Sequence, residues 1–211
     1  MRPLPALPAL RLRTLASALL LASCGGAPPG TADRRPVSAP ATAPSPPVPT
    51  VAQLVDSSLR ALRQGVAPVG HLTGGAGSRD ALARRFVAAA TRRDTAALRG
   101  LLVTRAEFAW LYFPHARLAR PPYGIDPGFL WMQLGSSTAR DLPKALERLS
   151  PGTTLGTLTC GDRVLVEGPN RLHEGCLAVV SRGGRRDTLS AFGSILERDG
   201  RFKFLSYANR L

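Results

Sequence analysis

The chain has 211 residues, enough for one domain with appendages, and 44% hydrophobic residues with a mean hydropathy near zero fit a soluble globular protein. Its formal net charge is +14, and 26 of the 28 basic residues are Arg. A basic surface attracts anionic partners in general, so charge alone does not choose among phospholipid headgroups, anionic envelope polymers and nucleic acid. The adjacent pairs Arg34-Arg35, Arg84-Arg85, Arg92-Arg93 and Arg185-Arg186 are explained by a compositional bias as readily as by a binding site.

Residues 1–23 have the order of a secretory signal: Arg2, Arg11 and Arg13 with no acid, an apolar run over 15–22 containing Leu19-Leu20-Leu21, and small residues before Cys24. The run is about ten residues where a spanning helix needs about 20, which argues against a permanent transmembrane segment. The tetrapeptide Leu21-Ala22-Ser23-Cys24 resembles the lipobox of bacterial lipoproteins. In that family the thiol receives diacylglycerol, the signal is cut before the cysteine and the new amino group is acylated. The resemblance therefore implies Cys24 as the lipid-attachment residue, a membrane anchor, and export to the cell envelope. Several acyl chains on one residue suffice for stable anchoring. Gly25 follows in place of the Asp of the inner-membrane retention signal, which favours the outer membrane where one exists. Loss of the three leader arginines leaves +11, and export makes nucleic acid an unsuitable partner.

Residues 24–50 carry the lipidated cysteine and then almost only Pro, Ala, Ser, Thr and Gly, including Pro28-Pro29 and Ser45-Pro46-Pro47-Val48-Pro49. Too few apolar side chains are present to offset ordering entropy, and Pro-rich chain extends at about 3.1 Å per residue, so this segment is a tether.

Val51, Leu54, Val55, Leu59, Leu62 and Val66 recur at helical spacing and predict an amphipathic helix ending near Gly65, a peripheral element that forms, with the Gly-rich loop up to residue 77, a segment of its own. The loop has no Gly-Lys-Ser/Thr terminus and no preceding strand, so it is not a phosphate loop. Residues 78–211 form the globular domain. Ser78 caps a helix to about Thr91, and Asp94 caps another carrying Ala97, Leu98, Leu101 and Leu102. Thr104 and Glu107 match the capping box before Phe108, Leu111 and Tyr112, a short helix that Pro114 closes. Asp126-Pro127 opens a helix with Phe129, Leu130, Met132 and Gln133, and Asp141 before Leu142-Pro143 repeats the signal for a further helix to about Leu149. Beyond Pro151, alternation and Gly punctuation predict strands near 153–160, 163–167, 175–181, 187–196 and 201–208, with hairpin turns at Ser181-Arg182-Gly183-Gly184 and Arg198-Asp199-Gly200. The fold class is α+β, with N-terminal helices on a C-terminal antiparallel sheet.

Three stretches resemble the nuclear transport factor 2-like superfamily (the SnoaL/cystatin-like cone): the helix with Phe86 and Ala90, the run Arg93-Asp94-Thr95-Ala96-Ala97-Leu98, and the hairpin Asp199-Gly200-Arg201-Phe202-Lys203-Phe204-Leu205. The resemblance spans most of residues 79–208. It implies a cone in which helices cover a curved antiparallel sheet and enclose a pocket.

Cys160 and Cys176 remain as an even pair in an oxidising compartment, which predicts a disulfide. In a hairpin turning at Gly168-Pro169 the two positions mirror each other, within bridging range. That register also opposes Asp162 to Glu174, a like-charge pair, so the alternative is a longer loop with the bridge across its base. A metal would need two more ligands where only His173 is near, and neither metal nor cofactor is expected.

Asp94, Asp126 and Asp141 serve as caps and Asp199 as a turn residue, His71, His115 and His173 are isolated, and no Gly-x-Ser-x-Gly or His-Glu-x-x-His motif occurs, so no catalytic residue is assigned. The aromatic residues Phe108, Trp110, Tyr112, Phe113, Tyr123, Phe129 and Trp131 are first of all core candidates. Within the implied cone, Tyr112, His115, Tyr123 and Trp131 would line the pocket with apolar bodies and polar tips. The expected function is a non-enzymatic, membrane-anchored envelope lipoprotein that binds a small ligand or another envelope protein. The alternatives are an isomerase or hydratase with a general base in the pocket, and a structural protein held against anionic polymer.

Overall fold

The computed structural model describes residues 47–207; the leader, Cys24 and the tether up to residue 46 lie outside the described residues. Helix α1 (Val51–Arg63) opens with a capping box in which the Gln53 amide donates to Thr50 Oγ1 and the Thr50 amide to Gln53 Oε1. Helices α2 (Arg79–Thr91) and α3 (Thr95–Gly100) start where Ser78 and Asp94 accept the amides of Ala81 and Ala97. The Thr104–Glu107 capping box is formed at α4 (Arg105–Glu107), which runs without a break into a π-helical turn, Phe108–Tyr112, and a 3-10 turn, Phe113–His115.

Helix α5 (Pro127–Arg148) corrects the expectation that Asp141 caps a separate helix. Asp126 caps its start, and the chain then stays helical through Pro143, which forgoes a single N–H. Asp141 is buried inside this helix, where the Arg140 guanidinium and the Lys144 ammonium hold its carboxylate at 2.8 and 3.1 Å. Its charge is compensated by side chains one and three residues away rather than by free amides of a helix start.

Seven strands follow among the described residues: β1 (Thr154–Thr159), β2 (Val164–Glu167), β3 (Asn170–His173), β4 (Leu177–Arg182), β5 (Arg185–Leu189), β6 (Ile195–Arg198) and β7 (Arg201–Phe204). They form two antiparallel sheets, ordered β1-β4-β5 and β2-β3-β6-β7. The chain is thus an antiparallel meander that crosses from one sheet to the other at residues 160–163, 174–176 and 190–194. The strand expected over 187–196 is divided at the last crossing into β5 and β6, and β3 was not expected. Turns at Gly183-Gly184 and Asp199-Gly200 place both central residues at positive φ, the primed geometry that matches the twist of flanking strands.

The disulfide between Cys160 and Cys176 joins the first crossing to the second, where the β1–β4 ladder ends at Thr159↔Leu177 and the β2–β3 ladder begins at Val164↔His173. The covalent bond joins the two strands where ladder hydrogen bonds give way, and Gly161 N–H to Glu174 O is retained beside it.

Two cores pack against the sheets. One core gathers α2, the C-terminal half of α5 and β1, β4 and β5 around Phe86, Phe192, Phe204 and Tyr207, with Phe192 stacked on Phe204 at 4.6 Å. The other gathers α1, the turns over 103–116, the N-terminal half of α5, and Leu172 and Leu196. Ile195 and Leu196, neighbours on β6 and therefore on opposite faces, belong to different cores, so the four-stranded sheet is covered on both sides. Helix α1 is not a separate peripheral segment. It buries Val55, Leu59 and Leu62, and Arg63 stacks on Trp110 at 3.9 Å while donating to the Ala109 carbonyl. Among the described residues no helix is long and apolar enough to cross a membrane.

A buried ion pair links these parts. Lys203 on β7 and Glu107 approach at 2.8 Å with side chains 2% and 1% exposed. Glu107 Oε1 accepts the amide and hydroxyl of Thr73, Oε2 also accepts the Thr104 amide, and Lys203 Nζ donates to the Thr73 carbonyl. Burial pushes the Glu107 carboxyl upward, but the Lys203 ammonium and the Thr104 and Thr73 amides outweigh it and hold its pKa below the usual carboxylate range.

Lys203→Met leaves a buried carboxylate without its cation and is expected to cost about 3–5 kcal/mol in chemical denaturation. Because the folded pKa of Glu107 is depressed, the stability it contributes is complete above the unfolded value of about 4.3 and is lost as pH falls through the folded value. Acid titration of the wild type should therefore show an unfolding component that Glu107→Gln removes. The disulfide closes a loop with a sequence separation of 16, so its reduction should lower stability by about 3 kcal/mol.

Candidate functional site

The segment from α3 to α4 is held to β7 by two backbone hydrogen bonds, from the Phe204 amide to Leu101 O and from the Val103 amide to Phe204 O. This places Leu102, Val103 and Thr104 opposite the face of α5 that carries Trp131, Leu134, Gly135, Thr138 and Ala139, residues spaced three and four apart. Between them lies a groove of about 450 Å³, with Leu205 in its lining and Arg99 and Arg105 as its only charged lining residues. The lining is mostly apolar, and its two arginines are exposed. Gly135 faces open space: a Cβ there would meet nothing within 4 Å. Among the described residues no Asp, Glu or His lines the groove, and so none of them offers it a carboxylate or imidazole as a general base.

Of the four residues expected to line a pocket, Trp131 lines this groove, packed on Phe108 at a centroid distance of 5.2 Å. The other three lie elsewhere. Tyr112 is buried in the second core beside Phe108, and burial, then the charges of Glu167 and Glu174, raise its hydroxyl pKa. His115 packs over Gly168, where an added Cβ would come within 2.8 Å of Nδ1; burial, then Arg198 and Arg120, lower its pKa. Tyr123 is 53% exposed on the turn before α5. Cys24 lies outside the described residues.

The groove residues Leu102, Val103, Leu134 and Thr138 were not anticipated from the sequence. The signal for the α5 side was the 131/134/135/138 spacing, obscured by reading residues 127–149 as two helices.

Two other polar clusters serve the fold. His173 Nε2 lies 2.7 Å from Glu197 Oε2 and its Nδ1 lies 3.4 Å from the Arg79 guanidinium. A guanidinium only donates, so Nδ1 accepts and the hydrogen on Nε2 faces the carboxylate. The imidazole is engaged on both sides and ties the start of α2 to β3 and β6. Asn170, fully buried, donates to Leu111 O, and Arg198 donates to both Leu111 O and Asn170 Oδ1, fastening the 108–112 turn to the four-stranded sheet. Among the described residues no group of three or more His, Cys, Asp or Glu side chains could hold a metal ion.

Gly135→Ala is expected to raise stability by about 0.5–1 kcal/mol, because the added methyl meets no neighbour and the helix loses a residue of poor propensity. A shift of the thermal midpoint to lower temperature would show instead that the α5 face is tightly packed there. Comparison of the chain with models of protein families, with curated proteins and with solved structures finds no match.

Proposed function

We propose that this protein is a lipid-anchored component of a bacterial cell envelope whose folded domain binds, non-enzymatically, an amphipathic ligand with an apolar chain and an anionic head. The observation that carries the ligand class is the groove between residues 99–105 and α5: a mostly apolar lining with two exposed arginines and, among the described residues, no general base. Its lining suits an acyl or similar chain, and the exposed Arg99 and Arg105, the latter also donating to the Leu62 carbonyl, suit a carboxylate or phosphate head. The anchor is assigned to Cys24 from the Leu21-Ala22-Ser23-Cys24 motif, with the Pro-rich tether holding the domain away from the bilayer and sorting to the outer membrane favoured. Helices followed by a meander that bends between two sheets support reading the domain as a cone of the nuclear transport factor 2-like kind.

Cys24→Ser should abolish incorporation of labelled fatty acid into the protein in cells, and persistent labelling would contradict the anchor. For the groove, a fluorescent long-chain fatty acid should bind and be displaced by unlabelled fatty acid. Gly135→Leu, which projects a side chain into the groove, should weaken that binding at least about tenfold. Arg99→Gln should weaken the fatty acid but not the corresponding alcohol. Equal affinity of wild type and Gly135→Leu would rule out the groove as the site.

A further inference from the structure

A second concavity, of about 620 Å³, opens where the β4–β5 turn ends the three-stranded sheet, with Arg148, Arg182, Arg185, Arg186 and Asp187 in its lining. In the β4–β5 ladder Ala178 faces Leu189, Val180 faces Asp187, and Arg182 faces Arg185. Paired and alternate residues share a face, so the side of the sheet that is core at Ala178, Val180 and Leu189 continues past the core as charge. Arg182 and Arg185 stand directly opposite each other, an arrangement that is destabilising for like charges. The one acid in the lining, Asp187, is engaged by Arg148, whose guanidinium lies 2.6 and 2.7 Å from the two carboxylate oxygens. Arg186 pairs with Ser181 and so points to the opposite face, which leaves Arg148, Arg182 and Arg185 against Asp187 on this side, an excess of two positive charges among the described residues.

Protection of a sheet edge accounts for part of this. β5 is an edge strand, and exposed arginines on it discourage pairing with another chain. That explanation does not reach Arg182, which lies on the central strand β4, or Arg148, which comes from α5. We propose that the Arg148–Arg182–Arg185 concavity binds a phosphate monoester or diphosphate group. Guanidinium forks match phosphate oxygens two at a time, and a bound dianion turns the Arg182–Arg185 opposition into a clamp. The site is separate from the apolar groove and does not depend on the lipid anchor.

The test uses the full chain carrying Cys24→Ser, so that no acyl anchor contributes, at low ionic strength. One arm titrates inorganic pyrophosphate calorimetrically; the other measures cosedimentation with phosphatidylcholine vesicles with and without phosphatidic acid. Binding in either arm should fall about tenfold or more in Arg182→Ala/Arg185→Ala and remain in Arg84→Ala/Arg92→Ala, which removes the same charge from exposed positions on α2 and at its C-cap. The double variant should also unfold no earlier than the wild type, since it relieves a like-charge pair. Response to pyrophosphate alone assigns a soluble phosphate source, and response to phosphatidic acid alone assigns a lipid headgroup. No response in either arm, undiminished binding by Arg182→Ala/Arg185→Ala, or an equal loss in the Arg84/Arg92 control overturns the proposal.

Discussion

The meeting of Glu107 with Lys203 fixes the geometry on which the apolar groove depends. Glu107 completes the capping box of α4, receives the Thr73 amide from the Gly-rich loop, and receives the ammonium of β7. One carboxylate thus sets where three segments distant in sequence come together, and Thr104, its capping partner, is also part of the groove wall. Burying two charges costs desolvation, so the pair contributes more to specifying this one arrangement than to net stability. The chain has only two lysines among 28 basic residues, and one of them is Lys203. A compact ammonium donating to Glu107 and the Thr73 carbonyl fits this enclosed site, whereas a planar guanidinium with five donors would demand more acceptors.

From that point the rest of the architecture follows as two cores with shared boundaries. Helix α5 lends Leu130 to one core and Ala145 to the other, and β6 lends Leu196 and Ile195 in the same way. Where the meander passes between sheets its ladders are interrupted, and the Cys160–Cys176 bridge joins the first two crossings.

Local chemistry made much of the fold legible in the sequence. Ser78, Asp94, Asp126 and the Thr104–Glu107 box all cap helices because a side-chain oxygen one turn from a free amide needs nothing beyond its own segment. Asp141-Leu142-Pro143 carries the same local signal and sits inside a helix, since tertiary burial and the cations of Arg140 and Lys144 override it. β3 is four residues long between Pro169 and Cys176, too short to show alternation. The site was less legible than the fold. Pooling aromatic residues by proximity in sequence found Trp131, but whether Tyr112 faces a cavity or a core depends on contacts with Phe108 and the sheet that no local pattern encodes. The Glu107–Lys203 pair spans 96 positions and left no trace in spacing or composition.

The domain carries two surfaces of opposite character, one largely apolar with two arginines and one basic and polar. The most direct measurement of the central claim, that the groove holds an acyl chain, is photo-crosslinking of the full chain with a long-chain fatty acid bearing a diazirine near its methyl end, followed by peptide mapping. Adducts confined to residues 99–105 and 131–139 are the predicted result. Adducts spread over the surface, or concentrated on exposed Tyr123, Phe129 and Met132 instead, would contradict it.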